Sequence, residues 1–120
     1  PPEAYVREAD YVGIASGREI DKFSHCGLTA VASESVDAPY VAEFPMVYEC
    51  KVVQVVELGS HTQFIGQVMD VRADEEVLGA DGMPDVTRAK PFVFAGDLRG
   101  SGYYALGGYL GQAFTIGKGL

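Results

Sequence analysis

Apolar and polar residues alternate most regularly in the middle of the chain. Tyr48, Cys50 and Val52 are separated by Glu49 and Lys51, and Met69, Val71 and Ala73 by Asp70 and Arg72. This is the period-two pattern of a half-buried strand. The runs Met46 to Glu57 and Thr62 to Ala73 therefore predict two long antiparallel strands. Between them Leu58-Gly59-Ser60-His61-Thr62 supplies the reversal, with Gly59 giving the backbone freedom of a tight turn and Ser60 a common turn residue. The alternation changes phase at Val52-Val53, Val55-Val56 and Phe64-Ile65. Either both faces of the hairpin are covered there or a bulge re-aims one strand, as in a sheet that closes into a barrel.

Upstream, Pro2, Glu3 and the three- and four-residue spacing of Tyr5, Val6, Ala9 and Val12 predict a short amphipathic helix that Gly13 ends or weakens. Ser16 to Phe23 reads as a polar turn feeding a second short helix that closes at Gly27. If that segment is helical, Arg18 and Lys22 share a face. The pair then reads in two ways: an anion site, with Ser-Gly backbone amides beside two cations, or a solvated face partnered by Glu19 and Asp21. Leu28 to Glu43 reads as a surface connection with room for one short strand. Ala73 to Leu78 predicts one helical turn, Ala80 to Pro84 a turn, and Asp85 to Lys90 a short polar link. Phe92-Val93-Phe94 is a short strand, with Pro91 at a start position that strands tolerate.

The tail from Gly96 is rich in glycine and aromatic residues. Gly100-Ser101-Gly102-Tyr103-Tyr104-Ala105 formally fits the G-x-G-x-x-A dinucleotide fingerprint, but no strand leads into it and too little chain follows for a βαβ unit. A Rossmann site is excluded. Tyr103, Tyr104, Tyr109 and Phe114 read as core or subunit-contact surface, with one ring available to stack on a flat ligand.

At 120 residues the chain makes one domain, spanning 1–120, and 48% apolar residues are enough for a core. A net charge of -8, with nine scattered Lys and Arg, argues against a nucleic-acid-binding face. No apolar run approaches the roughly 20 residues of a membrane span, and no signal-peptide pattern opens the chain. A cytoplasmic protein with no membrane partner is expected. Cys26 and Cys50 lack disulfide-framework or metal spacing and are expected as free, buried thiols. His25 and His61 bring no metal pattern either, and the paired carboxylates in turns read as solvated. A histidine can donate or accept a proton near neutral pH. His61, at a strand edge between hydroxyls, suits hydrogen bonding to a polar ligand as well as it suits a satisfied turn residue. Pro1-Pro2 leading directly into a helical pattern reads as the middle of a fold, with a segment expected upstream.

Three runs carry a family resemblance: SGREIDKF (16–23), LGSHTQFIGQVMDVRADEEVL (58–78) and KPFVFAGDLRGSGYYALGGYLGQAFTIGK (90–118). In this order they resemble the flavin reductase-like FMN-binding proteins, in particular the flavoredoxin branch, over what looks like the C-terminal two thirds of the domain. The resemblance implies a mainly β fold: a split β-barrel of antiparallel strands with short peripheral helices, here without its N-terminal strands. It implies a homodimer with FMN held non-covalently near the subunit interface, and transfer of hydride or electrons between NAD(P)H, flavin and an acceptor that can be a redox partner protein. Carried over by position, Lys22 contacts the flavin phosphate region and Ser16, Gly17 and Arg18 shape the same loop. His61 stands beside the flavin and the incoming nicotinamide, as the catalytic candidate. Phe94 lines the flavin pocket, with Phe92 the second candidate. Where the reductases of this superfamily often carry Gly-Asp-His, this chain has Gly-Ser-His. That change puts NAD(P)H turnover in question and suits an FMN-binding electron carrier. The family's N-terminal strands supply flavin contacts that have no counterpart here, so another chain would complete the site, or flavin binding would be lost.

Overall fold

The computed structural model describes residues 1–97 and 100–119. Short helices lead, then three antiparallel ribbons follow in chain order. A single 3-10 turn at Glu3–Tyr5 runs into α1, Val6–Ile14, which continues one residue past Gly13. α2 spans Lys22–Cys26. Asp21 caps it by accepting hydrogen bonds from the Phe23 and Ser24 amides, and Gly27, at φ 65°, closes it in the left-handed region that glycine adopts without strain.

The first ribbon, β1 (Ala30–Ala32) against β2 (Pro39–Val41), puts two short strands where the sequence suggested room for one. The second is the hairpin of β3, Met46–Glu57, and β4, Thr62–Ala73, with the bounds the alternation predicted and Gly59 at φ 80° in its turn. Its register slips between Val52 and Gln54, where the phase changed, and again between Glu49 and Cys50. After a 3-10 turn at Glu75–Val77, the segment read as a polar link forms a one-turn helix, α3, Val86–Ala89, capped by Asp85. The third ribbon pairs β5, Phe92–Asp97, with β6, Gly100–Ala105. The strand Phe92–Phe94 is thus longer than its apolar core suggested, and the glycine-rich run beyond it is a strand as well. The chain start is tied to this region through Glu3 N–H donating to the Lys90 carbonyl at 2.8 Å.

The chain keeps little of its apolar surface inside. Val77 is the one buried hydrophobic residue among those described, and 9353 Å² is exposed. A compact chain of 12.8 kDa exposes about 6,300 Å². The radius of gyration, 17.0 Å, likewise exceeds the roughly 14 Å of a compact chain of this length. Cys50 is exposed and Cys26 only half-buried, against the expectation of buried thiols. Cys50 pairs with Val68 and shares its face with Val52, and both valines are exposed as well.

Candidate functional site

The candidate residues occupy three places. The first is the turn between α1 and α2. The Glu19 and Ile20 amides both donate to the Ser16 carbonyl, and the Arg18 amide approaches the Ser16 hydroxyl at 3.3 Å. Arg18 lies in this turn, outside the helix, so it and Lys22 do not share a helical face. The pair still stands at one chain reversal, where a Cβ added at Gly17 would meet the Lys22 side chain at van der Waals distance. Lys22 Nζ donates to the Val12 carbonyl at 2.6 Å. That carbonyl lies in the last turn of α1, where the helix offers no partner, and a cation there also meets the negative end of the helix dipole. Lys22 therefore joins two helices, and an ammonium has two further protons to offer. Asp21, the expected counter-ion, is occupied as the cap: the Ser24 hydroxyl donates to it at 2.6 Å, and this bond, with the Ser24 and Phe23 amides, holds its carboxyl below the usual carboxylate range.

Lys22 also borders a largely apolar cavity of about 470 Å³ with Ala9, Val12, Phe23, Val41 and Phe44. His61 and Phe94 are not part of its lining. His61 sits at the tip of the β3–β4 hairpin, exposed, with Nδ1 2.8 Å from the Ser60 hydroxyl. That contact orients the ring and leaves Nε2 toward solvent. The Leu58 amide closes the turn onto the His61 carbonyl at 2.8 Å. Twelve residues at about 3.3 Å each put this tip roughly 35–40 Å along the ribbon from the base that adjoins the cavity.

The third place is the β5–β6 ribbon. Phe94 and Tyr103 are cross-strand partners with centroids 5.3 Å apart, and Phe92 meets Tyr103 edge-on at the same distance. Phe94 is 65% exposed, whereas Phe92 is half-buried. Of the two, Phe94 offers the open ring face. The Tyr103 hydroxyl donates to Asp10 on α1 at 3.1 Å, and desolvation together with that bond raises its pKa. The link from Tyr103 to Asp10 escaped the sequence reading, since 93 residues separate the two.

The residues fit an FMN piecewise. Two cations and a Ser-Gly turn suit a phosphate, Phe94 suits the face of a ring, and His61 suits a polar edge. Arg18, His61 and Phe94 are not part of the lining of the cavity that Lys22 borders. Among the described residues no cluster of His, Cys, Asp and Glu suits a metal ion, and no helix is long and apolar enough to cross a membrane.

Residues 1–97 match the model of the flavin reductase like domain. The chain is similar to the solved structure of the flavoredoxin of Desulfovibrio vulgaris (Miyazaki F), with 52% identity and a TM-score of 0.87 over 98% of this chain and 62% of that one. It is also similar to the flavoredoxin of Methanosarcina acetivorans, with 28% identity and a TM-score of 0.84 over 98% of this chain and 61% of that one. A high molecular weight rubredoxin of Moorella thermoacetica is 42% identical over 59 residues, which are 48% of this chain and 24% of that protein. The chain thus spans about three fifths of the length of the flavoredoxins it matches.

Proposed function

The chain belongs to the flavin reductase-like domain family, and from that premise we propose that it forms a single FMN-binding unit of a cytoplasmic flavoprotein oxidoreductase. It moves hydride or electrons between NAD(P)H, the flavin and an acceptor, and it acts as a homodimer. The observation that carries this reading is where the two family-marking runs lie. Ser16–Lys22 and Leu58–Thr62 are both surface turns presenting polar groups, not buried scaffolding.

In this reading Lys22 and Arg18 neutralise the flavin phosphate while the Ser16–Gly17 turn lies against it. Phe94 supplies one wall for the ring system. His61, held by Ser60, hydrogen-bonds at the place where the ring meets the nicotinamide. The redox chemistry comes from the flavin; the chain binds, orients and shields it. Because His61, at the hairpin tip, is not part of the cavity that Lys22 borders, a second polypeptide surface brings the two to one flavin in this reading.

A second reading, an FMN-binding electron carrier without efficient NAD(P)H turnover, is favoured by Ser60 and by the similarity to two flavoredoxins. An absorbance spectrum taken after adding FMN and desalting tests both. Retained bands at about 370 and 450 nm are expected for a bound flavin; a colourless protein overturns both. NADH oxidation by the flavin-loaded protein then separates them, since only the first reading requires it.

A further inference from the structure

Consecutive residues of α1 hold two other elements to that helix. The Asp10 carboxylate accepts the Tyr103 hydroxyl of β6 at 3.1 Å. The Tyr11 ring lies flat on His25 of α2, with centroids 4.4 Å apart and planes 7° from parallel. The Val12 carbonyl accepts Lys22 Nζ, also of α2, at 2.6 Å. The last two contacts fasten α2, and with it Lys22, to α1. The first brings the β5–β6 ribbon to the same helix. A helix fixes the relative positions of its residues through its own backbone hydrogen bonds. α1 therefore sets how far the ribbon stands from Lys22.

Tyr103 is the ribbon's half of that connection, and its ring also supports Phe94. β5 and β6 pair Phe92 with Ala105, Phe94 with Tyr103 and Gly96 with Ser101, which places these six residues on one face. Tyr103 meets Phe92 edge-on and Phe94 at 56°, both with centroids 5.3 Å apart. Aromatic pairs attract at such separations and angles. Toward the other end of this face stand the small Gly96 and Ser101, so Phe94 is backed by a ring on one side and bordered by low residues on the other. Desolvation and the Asp10 bond raise the Tyr103 pKa, which keeps the hydroxyl a donor at neutral and mildly alkaline pH.

On the FMN-binding reading above, we propose that Tyr103 is a positioning residue: its ring sets the attitude of Phe94, and its hydroxyl, through Asp10 and α1, holds that wall in register with Lys22. FMN carries its ring system and its phosphate at opposite ends of one molecule. Both contacts form together only where wall and cation are correctly spaced. A spacing set before the flavin arrives avoids an ordering cost that binding would otherwise carry. Tyr103 itself touches neither the ring system nor the phosphate in this assignment; it acts through Phe94 and α1.

The test uses the full chain with two probes, FMN and riboflavin, which is FMN without its phosphate. Tyr103→Phe keeps the aromatic contacts and removes the tie to Asp10. In fluorescence titration it is expected to weaken FMN about tenfold, on the scale of one hydrogen bond to a charged group, and to leave riboflavin within about threefold. Asp10→Ala is expected to match it. Asp10→Asn, which keeps an acceptor oxygen, is expected to hold FMN near the wild-type affinity. In combination with Lys22→Ala, Tyr103→Phe is expected to cost less than it does alone, because the register matters only while the cation is present. A general loosening of the fold would instead weaken both flavins alike. A wild-type chain that binds no FMN overturns the FMN-binding reading and the role of Tyr103 together. Where the wild type binds FMN, the role of Tyr103 alone is overturned if Tyr103→Phe weakens neither flavin or both equally, if Asp10→Ala keeps full affinity, or if the losses from Tyr103→Phe and Lys22→Ala simply add.

Discussion

The base and the tip of the β3–β4 hairpin invert the usual placement of residue types. At the base, Glu49 is 2% exposed and fully engaged. It accepts the Ser35 amide at 2.8 Å and Arg72 Nε at 2.7 Å, while Arg72 Nη2 reaches Glu34 at 2.9 Å and the guanidinium lies over the Tyr40 ring, 5.4 Å from its centroid. At the tip, valines and Phe64 stand in solvent. The base is therefore fixed from within the chain by hydrogen bonds of defined geometry, which fasten the β1–β2 connection onto the long ribbon. The tip leaves its apolar area exposed. Burial at the base follows the hydrogen bonds and ion pairs that the chain makes within itself.

Removing the carboxylate at the base should therefore have the largest effect. Glu49→Ala leaves the Ser35 amide without an acceptor and strips Arg72 of its shorter ion pair. A fall in thermal midpoint on the order of 10 °C is expected in a calorimetric scan. An unchanged midpoint would mean that the base is no better fixed than the tip.

Acid should expose the same clamp more gently. The Arg72 hydrogen bond, aided by the Ser35 amide, holds the Glu49 carboxyl below its ordinary value of 4.5. A depressed folded-state value means that the ionised group's contribution is fully present above about pH 4.5 and is lost as the pH falls through the folded value. The midpoint of the wild type should thus drop on going from about pH 5 to pH 3, and Glu49→Gln, which cannot titrate, should flatten that slope. Equal slopes would assign the acid sensitivity to other carboxylates, Asp21, Glu43 and Asp85, which hydrogen bonds also hold low.

The two ends should differ in function as well. Lys22→Ala, near the base, should weaken FMN binding by about 1 to 3 kcal/mol, the range of a charge-assisted contact, and fluorescence titration reads this directly. Undiminished affinity would reduce Lys22 to its observed role, the link to the Val12 carbonyl. His61→Ala, at the tip, should leave that affinity within about threefold, less than one tenfold step of 1.4 kcal/mol, yet slow nicotinamide-dependent reduction in stopped flow. An unaltered rate would leave His61 a turn residue.

The long hairpin was legible because alternation, a glycine turn and a phase change at Val52 all lie in contiguous sequence. Glu49 was not, because it looks like any polar member of an alternating strand; its burial depends on Ser35 and Glu34, distant in sequence, folding over it. β6 was hidden because glycine and tyrosine give no period-two signal, and its pairing with β5 is a tertiary fact. The same reason separates the candidate site into legible and illegible parts. The SGR and GSH turns could be found and placed on the surface, but the capping of α1 by Lys22 and the hydrogen bond from Tyr103 to Asp10 follow from how the helices meet.

The smallest effect on unfolding should come from the residue that hydrophobicity alone would rank as core. Phe64 lies at the tip, 64% exposed, with Val55 across from it. Phe64→Ser forfeits one cross-strand contact, so at high dilution the thermal midpoint should move by less than about 4 °C. A large fall would show that Phe64 belongs to the chain's own core and that the tip and base are held alike.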